Sequence, residues 1–445
     1  MKQTLQKLLT VIVCTLFSCL TFWGVVRVKA ENKLFDIQEM LLPFWEGEIT
    51  YNETITPVRE KDGSILPIDL LYPIDEIIEV RSADLLLKYE EGKDYSVGNG
   101  KFVINPSGGI KTLAYDEFHP AEGQAGFEAR NGGYVLWKEG SWYHQRQTVI
   151  TYRHKAGYGG YVAEGKGRLL ANTLEKLASG KDINLLVYGD SISTGANSSG
   201  HKDIHVSPYM PTYPELFAAG IEAKYGVKVK LFNASVGGTD SAWGLSNLRG
   251  GILNVYDEID LAVVAFGMND TARDAESFAV NASRIAKGLK TKYKDIDVLL
   301  VGTMLPNYDA YKFYGHQTEF YDALTRYEKQ GVAAVNIGGV HKGLLQIKNY
   351  ADMTGNNVNH ANDYLARIYA QTLLKTLEVS DYDVKEEETS AEVSPESEVS
   401  AVEESTAESK NKSCGGNASA PFACAAAILA AAFIKNKKIK QEDKS

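Results

Sequence analysis

The sequence predicts an α/β protein, with a doubly wound parallel sheet over residues 166–379 preceded by an all-β domain, a sandwich or jelly roll, over residues 31–165. Three observations predict it. Beyond about residue 181, short apolar runs alternate with longer segments of helical period. Those runs are apolar at successive positions, as parallel strands covered on both faces are. Before residue 165, short runs of strand-forming residues are punctuated by turn sequences instead.

Met1 to Ala30 has the pattern of an export signal. Lys2 and Lys7 precede an apolar run from Leu8 to Val26, and Val28-Lys29-Ala30 supplies a small-x-small cleavage site. In the all-β domain, strands are expected at Ile77 to Val80, Asp84 to Tyr89, Lys101 to Ile104, Tyr134 to Trp137 and Thr148 to Tyr152. Trp45, Trp137 and Trp142 are large aromatics that suit either a core or a sugar-stacking platform. Arg168 to Ser179 reads as a connecting helix.

The parallel strands are expected at Ile183 to Tyr188, Val227 to Phe232, Leu261 to Phe266, Val298 to Thr303 and Val332 to Ile337. Helices are expected at Tyr213 to Tyr225, Glu276 to Tyr293, Thr318 to Gln330 and Asn362 to Leu377. Residues 380–417 are rich in Glu, Ser, Thr, Val and Ala, a composition that cannot offset its ordering entropy and reads as an acidic, disordered linker. Residues 418–445 hold an apolar run to Ile434 and then Lys435, Lys437, Lys438 and Lys440, the pattern of a membrane anchor with a basic cytoplasmic end, with a frayed Ala-rich tail as the alternative. An exported, surface-tethered protein is the expectation.

Charge and cysteine placement exclude whole classes of chemistry. The net charge is −10, and the segment from Asp381 to Ser409 holds eleven acids against Lys385 alone. The body before it is also acidic overall, which argues against nucleic acid as a partner, because a phosphate backbone calls for a basic face. Cys14 and Cys19 lie in the signal and Cys414 and Cys424 in the tail. The body therefore has no thiolate nucleophile, no disulfide and no Cys-ligated metal, and its chemistry falls to oxygen and nitrogen groups. His119, His144, His154, His201, His205, His316 and His341 show no two-histidine metal spacing; the last four are expected on surface or loops, and neither a metal nor a cofactor is expected.

Four short segments carry the chemistry. Gly189-Asp190-Ser191 follows the first parallel strand, where a tight turn presents a serine at the rim of the sheet. After the second strand, the Val236-Gly237-Gly238-Thr239 stretch leaves a backbone N–H uncovered, as an oxyanion hole needs. After the third, Gly267-Met268-Asn269-Asp270 offers the side-chain NH2 of Asn269 to the same oxygen. Asn357-Val358-Asn359-His360, before the closing helix, supplies a histidine to take the serine proton.

In this order and placement the four segments resemble the SGNH (GDSL) hydrolase family, over about residues 181–378. The resemblance implies a flavodoxin-like sheet and an ester hydrolase with Ser191 as nucleophile and His360 as general base and acid. It also implies an oxyanion hole formed by the Ser191 N–H, Gly238 and Asn269. The family's last block usually reads Asp-x-x-His-Pro, whereas this chain has Asn357 and Ala361 in place of the aspartate and proline. Asn357 then orients His360 through its amide oxygen, or a backbone carbonyl does so in a Ser-His dyad, the favoured reading, or the site is impaired. An all-β domain before such a hydrolase is similar to the layout of some carbohydrate esterases, which implies an acylated, especially acetylated, carbohydrate as substrate. A lipase or lysophospholipase on the same scaffold and a non-catalytic glycan-binding module are the alternatives.

Overall fold

The computed structural model describes residues 34–124 and 126–380. The export signal, the acidic linker and the anchor expected from the sequence lie outside the described residues, and no helix among those described is long and apolar enough to cross a membrane.

The described residues form twelve strands, β1 to β12 in chain order. The N-terminal region carries β1 (Ile49–Ile55), β2 (Glu76–Ser82), β3 (Tyr95–Gly98), β4 (Lys101–Ile104), β5 (Gly126–Glu128), β6 (Tyr134–Leu136) and β7 (Thr148–Arg153). All pair antiparallel, as a three-stranded sheet in the order β1-β7-β2 and as the hairpins β3-β4 and β5-β6. The strand expected at Asp84 to Tyr89 is a turn instead. Leu85 has a left-handed backbone (φ 59°), and the Asp84 carboxylate accepts from the Leu86 N–H, closing the chain on itself. Strand β1 had no clean period to announce it, because its ladder is irregular between Thr50 and Glu53 and Asn52 is left-handed there.

The C-terminal region is built on β8 (Ile183–Gly189), β9 (Val229–Asn233), β10 (Leu261–Ala265), β11 (Asp297–Gly302) and β12 (Val332–Asn336). They form one fully parallel sheet in the order β12-β11-β10-β8-β9. Side chains alternate between its two faces. Leu185 and Val187 of β8 enter one buried cluster with Leu216, Leu365 and Ile368, whereas Leu186 and Tyr188 enter the other with Phe278, Ile285 and Leu289. Helices therefore cover both faces, as strand runs without polar alternation require.

The helix Tyr213–Tyr225 has the expected bounds, opened by a Thr212–Glu215 capping box and closed by Gly226. The helix expected at Thr318 to Gln330 is confined to Phe320–Thr325, since residues 328–332 turn back through the Lys329–Val332 bridge into β12. The helices Ser241–Leu248 and Ile337–Leu344 were not foreseen. His341, expected on surface or loop, is fully buried on the latter, where its Nδ1 accepts from the Leu305 N–H at 3.2 Å and desolvation holds the imidazole neutral, down to about 3.

The first cluster does not stop near residue 165. It includes Ile55, Tyr72, Val80, Phe102 and Ile150 of the N-terminal region together with residues of β8 and of the closing helix Asp363–Thr376. Polar groups join the same regions. Arg367 of the closing helix donates to the carbonyls of Tyr51 and Asn52 at 3.0 Å each, and Gln371 donates to those of Met40 and Leu42. Lys348 and Glu53, both fully buried, pair at 2.5 Å.

Candidate active site

Order 9-8-10 places β8 between strands that follow it in sequence, so the chain departs to opposite sides after β8. A crevice opens at such a switch, beyond the carboxyl ends of the strands. All four sequence-predicted segments meet there.

The turn after β8 is shaped by close contacts. A Cβ on Gly189 would sit 2.3 Å from the Ala265 carbonyl oxygen, so only glycine permits the chain to bend against the end of β10. Asp190 then caps the short helix Ser191–Thr194, accepting from the Ile192 N–H at 3.0 Å, and its other oxygen accepts from the Met268 N–H at 3.3 Å. One buried carboxyl thus ties the serine turn to the segment after β10. Its desolvation pushes it up to about 7 despite those two donors.

The segment after β9 is anchored to β8 as well. Ala234 and Val236 donate to the carbonyls of Val187 and Gly189, and Asn233 Nδ2 donates to the Ser193 carbonyl at 2.7 Å. This brings Gly237 against the nucleophile, where a Cβ would lie 3.7 Å from that of Ser191. Neither the Ser191 N–H nor the Gly238 N–H has an acceptor among the described residues. Asn269 Nδ2 donates to the Thr239 carbonyl at 2.9 Å, fixing its amide beside the same turn with its second N–H unspent. Buried Asp270, raised by desolvation, accepts from the Ser241 N–H and hydroxyl and from Arg273. It holds the start of the helix Ser241–Leu248 against this loop.

Ser191 Oγ lies 2.9 Å from His360 Nε2. On the other side of the ring, Nδ1 lies 2.6 Å from Asn197 Oδ1. The amide orientation follows from the network: Asn197 Nδ2 donates to the carbonyls of Gly140 at 3.1 Å and Gly355 at 3.4 Å, so its oxygen faces the imidazole. Nδ1 therefore carries the proton, and Nε2 is free to accept from the serine hydroxyl. Asn197 itself is left-handed (φ 66°), and a Cβ on Gly355 would stand 2.5 Å from its Cβ, so the approach of these two loops depends on glycine. A second acceptor, Glu139 Oε2, lies 3.7 Å from Nδ1.

Asn357 does not orient His360. Its backbone is left-handed (φ 65°), which turns the side chain away, and Nδ2 donates to the Leu136 carbonyl at 3.2 Å. Nor, among the described residues, does a backbone carbonyl accept from Nδ1, as a dyad of the favoured kind would have. The orienting acceptor is the side chain of Asn197, six residues beyond the nucleophile. Asn362 caps the closing helix, and Asp363 beside it accepts from the Ser199 N–H. Asn197 and Glu139 escaped sequence reasoning, since neither stands at a fixed offset from His360. The only trace of Asn197 was its neighbourhood to the Gly189-Asp190-Ser191 turn.

A nucleophile hydroxyl, a base with an assigned tautomer and uncommitted N–H donors on the adjoining loops are parts that acyl transfer requires. The sequence profile of the GDSL-like lipase/acylhydrolase family matches residues 187–373. Among solved structures, a two-domain esterase active on acetylated mannans is 19% identical, covering 49% of this chain and 54% of its own, with a TM-score of 0.39. This chain thus spans about half the length of that protein. An acetyl xylan esterase from Geobacillus stearothermophilus, in a variant form, is 13% identical over 44% of this chain and 94% of its own, with a TM-score of 0.36. A member of the lipolytic G-D-S-L family from Veillonella parvula is 18% identical over 43% and 96%, with a TM-score of 0.35. No curated protein sequence matches this one.

Proposed function

We propose that this chain, whose residues 187–373 match the sequence profile of the GDSL-like lipase/acylhydrolase family, is a serine esterase that removes small acyl groups, acetyl above all, from carbohydrate. The observation that carries the reading is the contact of Ser191 Oγ with His360 Nε2 at 2.9 Å, with Nδ1 already engaged on its far side.

In this mechanism Ser191 Oγ attacks the ester carbonyl carbon while its proton passes to Nε2. The carbonyl oxygen becomes an oxyanion within reach of the N–H groups of Ser191, Gly238 and Asn269. His360 next protonates the departing sugar hydroxyl as the carbon–oxygen bond breaks. Water then enters, gives a proton to Nε2 and attacks the acyl-enzyme, and collapse returns that proton to Ser191 with release of the acid.

Support for a small acyl group on a bulky alcohol comes from the openness of the site. Gly237 and Gly238 are exposed and Ser191 is half-exposed, so an ester on the surface of a polymer reaches them without threading a channel. Trp137, half-buried beside Glu139, offers an indole at the rim for a sugar ring. Hydrolysis of a series of aryl esters tests the reading. We expect acetate to be released fastest and Ser191→Ala to abolish turnover; an undiminished Ser191→Ala rate would overturn it, and rates rising with acyl chain length would favour a lipase. The reading includes export, with cleavage after Ala30 and retention at the cell surface by the C-terminal run. An N-terminus at Glu31 in protein recovered with the envelope is the expected outcome, and intact Met1 in the cytosol would refute it.

A further inference from the structure

Asn197 is neutral. It fixes the tautomer of His360, but an amide oxygen does little to offset the positive charge that the ring acquires when it takes the serine proton. A carboxylate does so in a triad, and the usual position of that carboxylate is occupied here by Asn357, which faces elsewhere.

We propose that Glu139, from the N-terminal antiparallel region, is the positioning carboxylate of His360, and that the turn which carries it completes the site. This rests on the Ser191–His360 reading above and deepens it. The two oxygens of Glu139 have separate tasks. Oε1 accepts from Trp137 Nε1 and from Asn356 Nδ2, each at 2.9 Å, which leaves Oε2 directed at His360 Nδ1 at 3.7 Å. Asn356 in turn receives the N–H groups of Val358, Asn359 and His360 on its own Oδ1 at 3.0 to 3.1 Å, so the loop that presents the histidine is tied to Glu139 through one buried amide.

The next residue in the turn adds a second connection. The Gly140 carbonyl accepts from Asn197 Nδ2 and so holds the orientation of the other Nδ1 acceptor. Both groups that face Nδ1 are therefore fixed by one turn of the N-terminal region. The electrostatics agree. Desolvation opposes ionisation of Glu139, yet the neighbouring His360, with the donors Asn356 and Trp137, holds the carboxyl down at about 2. The other ionisable groups felt by His360 are Asp190, whose oxygens are committed to the Ile192 and Met268 N–H groups, and His201, kept low by desolvation.

Glu139→Gln is the decisive variant, because it removes the charge and retains an acceptor for Trp137 and Asn356. On an aryl acetate, with the full chain, kcat should fall about 10- to 100-fold with KM little changed. The acidic limb of the kcat/KM profile should move to lower pH, because the imidazolium loses its counter-charge, and Glu139→Asp should recover part of the rate. A Glu139→Gln enzyme with wild-type kcat and an unmoved limb would overturn the proposal. So would a loss of rate with an unmoved limb and a lowered melting temperature, which is what a merely structural tie would give. Ser191→Ala in the same assay separates the two levels: if it stays active, the esterase reading itself has failed, whereas an inactive Ser191→Ala beside an unaffected Glu139→Gln refutes Glu139 alone.

Discussion

Every residue of β10 is apolar and buried, and the strand is held by neighbours of the same kind. Strand β1 also buries four of its residues, but two are threonines and one is Glu53. Glu53 Oε1 accepts from Lys348 Nζ and the Leu71 N–H, while Oε2 accepts from the Tyr152 hydroxyl. The parallel region thus obtains cohesion from area removed from water, which is tolerant of small changes in shape. The antiparallel region meets it through the shared apolar cluster and, in addition, through directed, charged contacts that are satisfied only in one arrangement. The difference teaches that the N-terminal region is keyed to the hydrolase fold at particular groups, among them those that reach His360.

The strongest way to break this comparison is to remove one partner of the buried pair. Lys348→Ala leaves Glu53 charged and dry, and should cost ~3–5 kcal/mol in urea unfolding, against ~0.5–1.5 kcal/mol for Ile285→Val in the parallel core. Equal costs would show that the pair is no more demanding than apolar packing. A subtler effect concerns Asp352, which accepts from the Thr56 and Asn349 N–H groups and is raised to about 6 by desolvation, against an ordinary 3.8. The folded state holds this proton more tightly than the unfolded chain does. Its stabilising contribution is therefore full below pH 4 and declines as pH rises to about 6. Asp352→Asn should flatten that decline, read as melting temperature against pH; an unchanged slope would place the titration elsewhere.

How much could be read from the chain alone divides along the same line. The parallel strands and the helix Tyr213–Tyr225 were legible because apolar runs and capping residues act within a few positions of one another. Ser191, Gly238, Asn269 and His360 were legible for a related reason, each standing directly after a strand or before a helix. Asn357 misled because spacing fixes where a residue stands in the chain but not the sign of its φ. Glu139 is 221 residues from His360 and Asn197 is 163, and no local pattern connects them. The same holds for β1, whose buried Glu53 finds its partner 295 residues away.

The Gly140 carbonyl has a practical corollary for anyone cutting or grafting this molecule. A fragment trimmed to the family-matching segment would keep the serine, the histidine and the oxyanion donors, yet its Asn197 amide would lose the Gly140 carbonyl, the shorter of the two acceptors that set which way it points, and keep only that of Gly355. Rotated by half a turn, that amide would present NH2 to Nδ1 and favour the wrong tautomer. A transferable unit accordingly includes the turn at Glu139 and Gly140 together with residues 187–373. Chimaeras that exchange the front portion exchange part of the catalytic apparatus with it.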